Sequence, residues 1–205
     1  MRATAPSTKG AQTRDLILGR AYALACVDGL EGLTIGAVAE QVGMSKSGVF
    51  AHFGSREELQ LATLDRAGEL FLGSVLVPAL KERRGLARLR AIHDRWAEWV
   101  RHEDDGGCLF LAAATEYDDR PGAIRERLLR LEEAWRGQLA HAVRLAVETG
   151  ELDPATEPEQ FAFEMYALAL AIHHDAGLTG HADAAARGLR AFERLIRSYQ
   201  PPPSP

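Results

Sequence analysis

The chain has 205 residues, 46% hydrophobic and 26% charged, with a formal net charge of −5. That is the profile of an ordinary soluble globular protein, and no apolar run approaches the roughly 18 residues that a membrane-spanning helix needs. The start, MRATAPSTKGAQTRDLI, lacks the apolar centre of a secretory signal, and Cys26 and Cys108 form no disulfide framework, so the expected setting is the reducing cytoplasm.

Alternating apolar runs are missing, and alanine, leucine, arginine and glutamate dominate, so the spacing predicts an all-α fold of about nine helices. The first helix is expected over Gln12–Asp28, with Leu16, Ile17, Ala21, Leu24 and Ala25 inward and Gly29 at its end. The second covers Ile35–Gln41 behind an N-cap at Thr34, and the third covers Lys46–His52 behind Ser45. Phe50 and Phe53 are expected in the core. Ser55-Arg56-Glu57-Glu58 is a capping box that opens the fourth helix, which Pro78 stops.

The fifth helix carries the stripe Leu86, Leu89, Ile92, Trp96 and Trp99, and an acidic, glycine-rich loop at 103–107 follows. A short sixth helix spans Leu109–Tyr117, and a long seventh runs to Gly150 with Leu128, Leu131, Trp135, Leu139, Ala142 and Ala146 inward. Thr156-Glu157-Pro158-Glu159 reads as a second capping box before the eighth helix. That helix is apolar on two sides (Phe161, Phe163, Met165, Tyr166, Leu168, Leu170, Ile172), which suggests a second subunit on its outer face. The ninth offers Leu189, Phe192, Leu195 and Ile196, and the proline-rich tail, 200–205, is expected to be disordered.

Taken alone, an acidic chain argues against a nucleic-acid partner. Residues 1–60 nevertheless hold six Lys/Arg and six Asp/Glu, so residues 61–205 carry the whole −5. A neutral head on an acidic body is compatible with a local phosphate contact. Within that head, the second and third predicted helices are joined by Gly43 and Met44, a tight turn of the helix-turn-helix type. The start of the second helix in such a unit lies in the DNA major groove. Here it reads Ser45-Lys46-Ser47-Gly48, where small side chains permit close approach and Lys46 supplies charge. Gly48 serves either that approach or internal packing.

The stretch LTIGAVAEQVGMSKSGVFAHFGSREEL, Leu33 to Leu59, resembles the DNA-binding signature of the TetR family of transcriptional repressors. The resemblance runs from about Thr13 to Leu64 and includes Thr34, Ala39, Gly43, His52-Phe53 and the Ser55–Leu59 entry to helix four. It implies a homodimer that binds an operator through residues 1–54 and a small-molecule effector through residues 55–205, with helices eight and nine pairing the subunits; helix four, which begins at the DNA-binding part and ends in the body, is the expected lever. It places Thr34, Ser45, Lys46, Ser47, Gly48, His52 and Arg56 at the DNA. Two departures stand out: Phe50 lacks the phosphate-binding hydroxyl of a tyrosine, and Gly36 leaves a base-reading position without a side chain. Shape readout and the arm residues Arg2 and Lys9 would then contribute.

For the effector, the aromatic residues Trp96, Trp99, Phe110, Tyr117 and Trp135, with His93 and Glu116 as polar contacts, are the candidate lining. No cofactor is called for. His173 and His174 point about 100° apart on a helix and no second ligand cluster is evident, so no metal site is expected. No nucleophile elbow, phosphate loop or Cys/His pairing supports an all-α enzyme. A dimerisation adaptor without DNA binding would leave the Ser45–Gly48 tip unexplained.

Overall fold

The computed structural model describes residues 9–102 and 107–202. The arm residue Arg2, most of the acidic loop and the tail residues 203–205 lie outside them. Among the described residues nine helices and no strand occur: α1 (Lys9–Gly32), α2 (Ile35–Val42), α3 (Lys46–Phe53), α4, α5 (Leu86–His102), α6 (Leu109–Tyr117), α7 (Ala123–Glu148), α8 (Pro158–Thr179) and α9 (His181–Ser198). Helix α4 covers Arg56–Phe71, widens into a π-helical turn at Leu72–Leu76 and closes with Val77–Ala79. None of these helices is long and apolar enough to cross a membrane.

Pro78 explains the π-helical turn. In an unbroken α-helix its ring would collide with the carbonyl four residues back, at Ser74. The widened turn lets the Val77 N–H reach the Leu72 carbonyl instead, and the helix continues to Ala79 rather than stopping at the proline. Lys9, expected in an arm, already belongs to α1. Leu16, expected inward, is 54% exposed, and Leu18 takes its place in a buried stripe with Ile17, Ala21 and Ala25. The second capping box does not form. Pro158 occupies the first helical turn, where its missing N–H costs nothing, so the cap falls on Glu157, whose side chain makes no capping bond.

The chain divides into two compact units. The first holds residues 9–68 and 107–128, that is α1, α2, α3, α6 and the starts of α4 and α7. Its core is built from Ile17, Leu30, Val38, Val49, Phe53, Leu59, Leu64, Leu109 and Ala113, and Arg127 donates to both carboxylate oxygens of Asp65 at its α4–α7 contact. The second unit holds residues 69–102 and 129–202. There α8 and α9 pack along their lengths, and α5 packs on both. Arg90 of α5 forks onto Glu193 of α9 at 2.7 and 3.0 Å, and the pairing holds the Glu193 carboxyl below its ordinary value.

At the α8–α9 contact Gly188 faces Ile172. A Cβ on Gly188 would come 2.3 Å from Ile172 Cδ1, so only a glycine allows this approach. Gly188→Ala is expected to lower the melting temperature, because overpacking costs about 1–3 kcal/mol and outweighs the helix propensity gained. A thermal double-mutant cycle with Ile172→Ala, which removes the clashing atoms, should show costs well below additive.

Candidate nucleic-acid interface and effector site

Local capping builds the turn between α2 and α3. Thr34 sits in extended backbone and its hydroxyl oxygen accepts the Ala37 N–H at 3.1 Å. At the other end of α2, Gly43 adopts φ 65°, and the Met44 N–H returns to the Ala39 carbonyl at 3.0 Å. This is the glycine-centred helix stop expected from the sequence. Ser45 then accepts the Gly48 N–H at 3.1 Å, starting α3, and shares a hydrogen bond with the Ser47 hydroxyl. Val49 and Phe53 anchor α3 in the core, and the Arg14 guanidinium stacks on Phe53, 4.9 Å from the ring centroid.

The exposed surface of α3 therefore consists of Lys46, Ser47, Phe50 and Ala51. Phe50 is 52% exposed, which corrects its expected place in the core: the helix is anchored through Val49 and Phe53, and Phe50 lies off that line. Gly48 is tightly packed, since a Cβ there would stand 3.2 Å from Met44 Cε and 3.3 Å from Ser45 Oγ. His52 is half-buried beside Phe53. Among the described residues Lys46 makes no hydrogen bond or ion pair.

Arg56, expected near the DNA backbone, turns to the end of α1. Its Nε donates to the Leu33 carbonyl at 2.9 Å and its Nη2 to the Glu31 carbonyl, with the Glu31 carboxylate 3.6 Å away. The cause is Gly29, whose φ of 76° breaks α1 and strands the backbone groups that follow. Gln60 meets the Leu30 carbonyl at 2.6 Å. Glu116 accepts the Glu31 N–H at 3.0 Å, and Tyr117 donates to the Glu31 carboxylate at 2.6 Å. A Cβ on Gly29 would lie 1.9 Å from Glu116 Oε1. Glu116 and Tyr117, expected in an effector lining, thus meet the polar groups at the broken end of α1. Phe110 lies half-buried on the same helix, α6.

The other aromatic candidates gather in the second unit around Phe71, which sequence reasoning did not single out. Its ring meets Trp96, Trp99 and Trp135 edge-on, with centroids 5.7, 5.7 and 4.8 Å away. The spacing Leu64-Ala67-Phe71 could have signalled its burial but not these partners. Tyr166 adds a fourth wall 5.7 Å from Trp96, under the Arg136 guanidinium. Burial first, then Glu132, pushes the Tyr166 hydroxyl up to about 12. His93 is stacked on Phe192 at 4.3 Å, with Nδ1 3.3 Å from Asp94 Oδ1. Its Nε2 and the indole N–H groups of Trp99 and Trp135 are buried without a hydrogen-bond partner among the described residues. A void of about 10 Å³ beside His93 and Trp96 has room for one water.

Two short capped helices in a glycine turn, the second offering an exposed tip, define a helix-turn-helix DNA-binding protein. Residues 17–63 match the family described as bacterial regulatory proteins, tetR family, and residues 85–192 match the tetracyclin repressor-like C-terminal domain. The chain belongs to the TetR family and is a ligand-responsive, DNA-binding transcriptional regulator. It is 28% identical over 197 residues to the HTH-type transcriptional regulator TcmR of Streptomyces glaucescens, covering 93% of this chain and 84% of that one. Among solved structures it is similar to a TetR transcriptional regulator from Chloroflexus aurantiacus, with a TM-score of 0.77 and 27% identity over 92% of this chain and 94% of the other. The fold is also similar to that of AibR in complex with isovaleryl coenzyme A and operator DNA, with a TM-score of 0.68 and 22% identity over 92% and 98% of the two chains.

The Glu31–Tyr117 contact has a pH signature. The Tyr117 hydrogen bond holds the Glu31 carboxyl below its ordinary value, so its contribution is full above the usual carboxylate range and is lost as pH falls through the lowered value. Burial and Glu31 push the Tyr117 hydroxyl up to about 12, so that contribution is full below its ordinary value of 10 and is lost as pH rises from there. Tyr117→Phe should lower the melting temperature by about 2–4 °C at neutral pH, the equivalent of roughly 1 kcal/mol. Thermal melts should show the difference shrinking in acid and again in strong alkali.

Proposed function

We propose that this regulator is a repressor that places two copies on a palindromic operator and leaves it when a small molecule binds. Residues 1–54 read the DNA, and residues 55–205 hold the effector and pair the subunits in the cytoplasm. The observation that carries the proposal is the tip of α3, an exposed, rigidly capped start with an uncommitted ammonium at Lys46. Ser47 stands beside it, Ser45 holds the cap, and the packed Gly48 keeps the surface low. The Thr34 hydroxyl accepts from Ala37 and still has its own proton to offer a phosphate. His52 supplements these contacts.

A homodimer through α8 and α9 is supported by apolar side chains on their outer surface. Phe163 is 53% and Leu189 45% exposed, and Ala167, Leu168 and Leu195 are nearby on the same two helices. A two-fold pairing on this surface buries the same patch twice. It serves the operator when the two α3 tips stand one helical turn apart, about 34–36 Å.

His93, Trp96, Trp99 and Trp135 are the effector contacts, joined by Phe71. Two buried indole donors without acceptors favour an apolar effector that carries oxygen acceptors. The void has room for no more than one water, so an effector must spread the cluster. It acts by binding the spread state better than the closed one, a shift in population.

A gel shift on the DNA upstream of the chain's own gene tests the repressor. Affinity should fall steeply and linearly with log salt concentration, and a flat response would remove the phosphate contacts. Lys46→Ala should weaken binding by about 1–3 kcal/mol per half-site if Lys46 reads a base, or lower the salt slope by about one if it meets a phosphate. Effector titration should change tryptophan emission, and Trp99→Phe should weaken that binding. An effector that releases DNA while every tryptophan stays silent would place its site elsewhere.

A further inference from the structure

Gly36 of α2 and Lys46 of α3 meet within the first unit. A Cβ built on Gly36 would lie 3.1 Å from Lys46 Cε and 3.4 Å from its Nζ, and the three nearest atoms all belong to Lys46. The stem of Lys46 thus lies across the bare backbone of the first turn of α2, with its ammonium over the place a side chain at 36 would fill. The backbone at Gly36 does not need glycine, since it is absent from the positive-φ positions. A glycine inside a helix costs about 1 kcal/mol relative to alanine. What the glycine provides is room for Lys46. An ammonium held there by packing rather than by an acceptor keeps three donors for an outside partner.

We propose that Gly36 is a positioning residue for operator recognition, acting through Lys46, an inference that rests on the DNA-binding function argued above. A bare backbone at 36 lets the ammonium settle over α2, where one cation serves the surface both helices turn to the duplex. Its partner is an acceptor oxygen or nitrogen of duplex DNA, on a guanine edge or a phosphate. A longer side chain at 36 would push the ammonium off this position.

The test is a double-mutant cycle on the operator duplex with Gly36→Met, Lys46→Ala and the pair together, read by fluorescence anisotropy. Methionine is an unbranched helix former that covers the same ground without adding a donor. Gly36→Met should weaken binding about tenfold or more, close to Lys46→Ala, and the double variant should be no weaker than Lys46→Ala. Its melting temperature should equal or exceed that of the wild type, which separates lost contact from lost fold. Gly36→Ala, which asks Lys46 to move only a few tenths of an ångström, should act in the same direction with smaller size. A changed base preference identifies a base edge as the partner, and a uniform loss identifies a phosphate. Gly36→Met binding as well as the wild type overturns the inference, and so does a further loss in the Lys46→Ala background, which would mean that residue 36 faces the DNA itself. In the DNA-free protein, a nuclear Overhauser contact between the Gly36 α and Lys46 ε protons should appear, and its absence overturns the positioning whatever the binding data. A wild type that binds no duplex at low salt brings down the DNA function and this inference with it, whereas an uncoupled cycle on a wild type that binds removes this inference alone.

Discussion

Past Gly29 the backbone closes with a bond from the Leu33 N–H to the Leu30 carbonyl at 3.2 Å, and remote side chains of the first unit gather on the polar groups around it. Gly29 leaves the helical region, and beyond it the amide of Glu31 and the carbonyls of Leu30, Glu31 and Leu33 each meet a side chain from elsewhere in the first unit. The Gln60 bond to the Leu30 carbonyl is buried, where a polar group left unpaired costs about 1–3 kcal/mol. Arg56 and Gln60 from the start of α4 and Glu116 from α6 supply these partners. Glycine at 29 is required twice over, for its positive φ and because Glu116 occupies the space of a side chain. The break at the end of α1 thereby fixes where α4 begins and how α6 lies on α1.

The reading head obeys a different economy. Its turn is closed by short-range bonds: Thr34 to Ala37, Met44 to Ala39, Ser45 to Gly48. With its caps satisfied locally, the α3 tip stays small and rigid at little cost to the core. The head is electrically neutral, and Arg14 and Arg56 are committed to Phe53 and to the end of α1. Lys46 is the one lysine or arginine of α2 and α3, so in the proposed function the place of its ammonium sets how much recognition these helices can carry. The proposed role of Gly36, a residue with no side chain, follows from that dependence.

In the second unit, aromatic packing dominates. Three tryptophans meet Phe71 edge-on, each pair adding about 0.5–1.5 kcal/mol to simple burial, while the indole donors of Trp99 and Trp135 find no acceptor. The cluster is close to a good core and fails it in hydrogen bonding alone. In the proposed function, an effector that brings acceptors removes that failing and so favours the spread state.

Helix class, element order and most helix ends were legible in the sequence, because their causes act within a few residues. Thr34, Gly43, Ser45 and Ser55 cap what lies three or four positions away, and apolar spacing marks the inner stripes. The same short range misled where two local signals competed. Thr156 looked like a cap, but Pro158 moved the start by one residue, and Phe50 lay off the stripe that Val49 and Phe53 define. Tertiary structure alone decided that Glu116 and Tyr117 serve the end of α1, and that Lys46 crosses Gly36. The partners of Glu31 stand 85 and 86 positions away in the chain. At that distance a carboxylate or a hydroxyl carries no local mark of the donor or acceptor it will meet. The sequence by itself determined where helices begin and end, since those bonds close within a turn. Which side chain completes a broken end, and which stays available to a ligand, depended on packing that brings remote polar groups within 3 Å of one another.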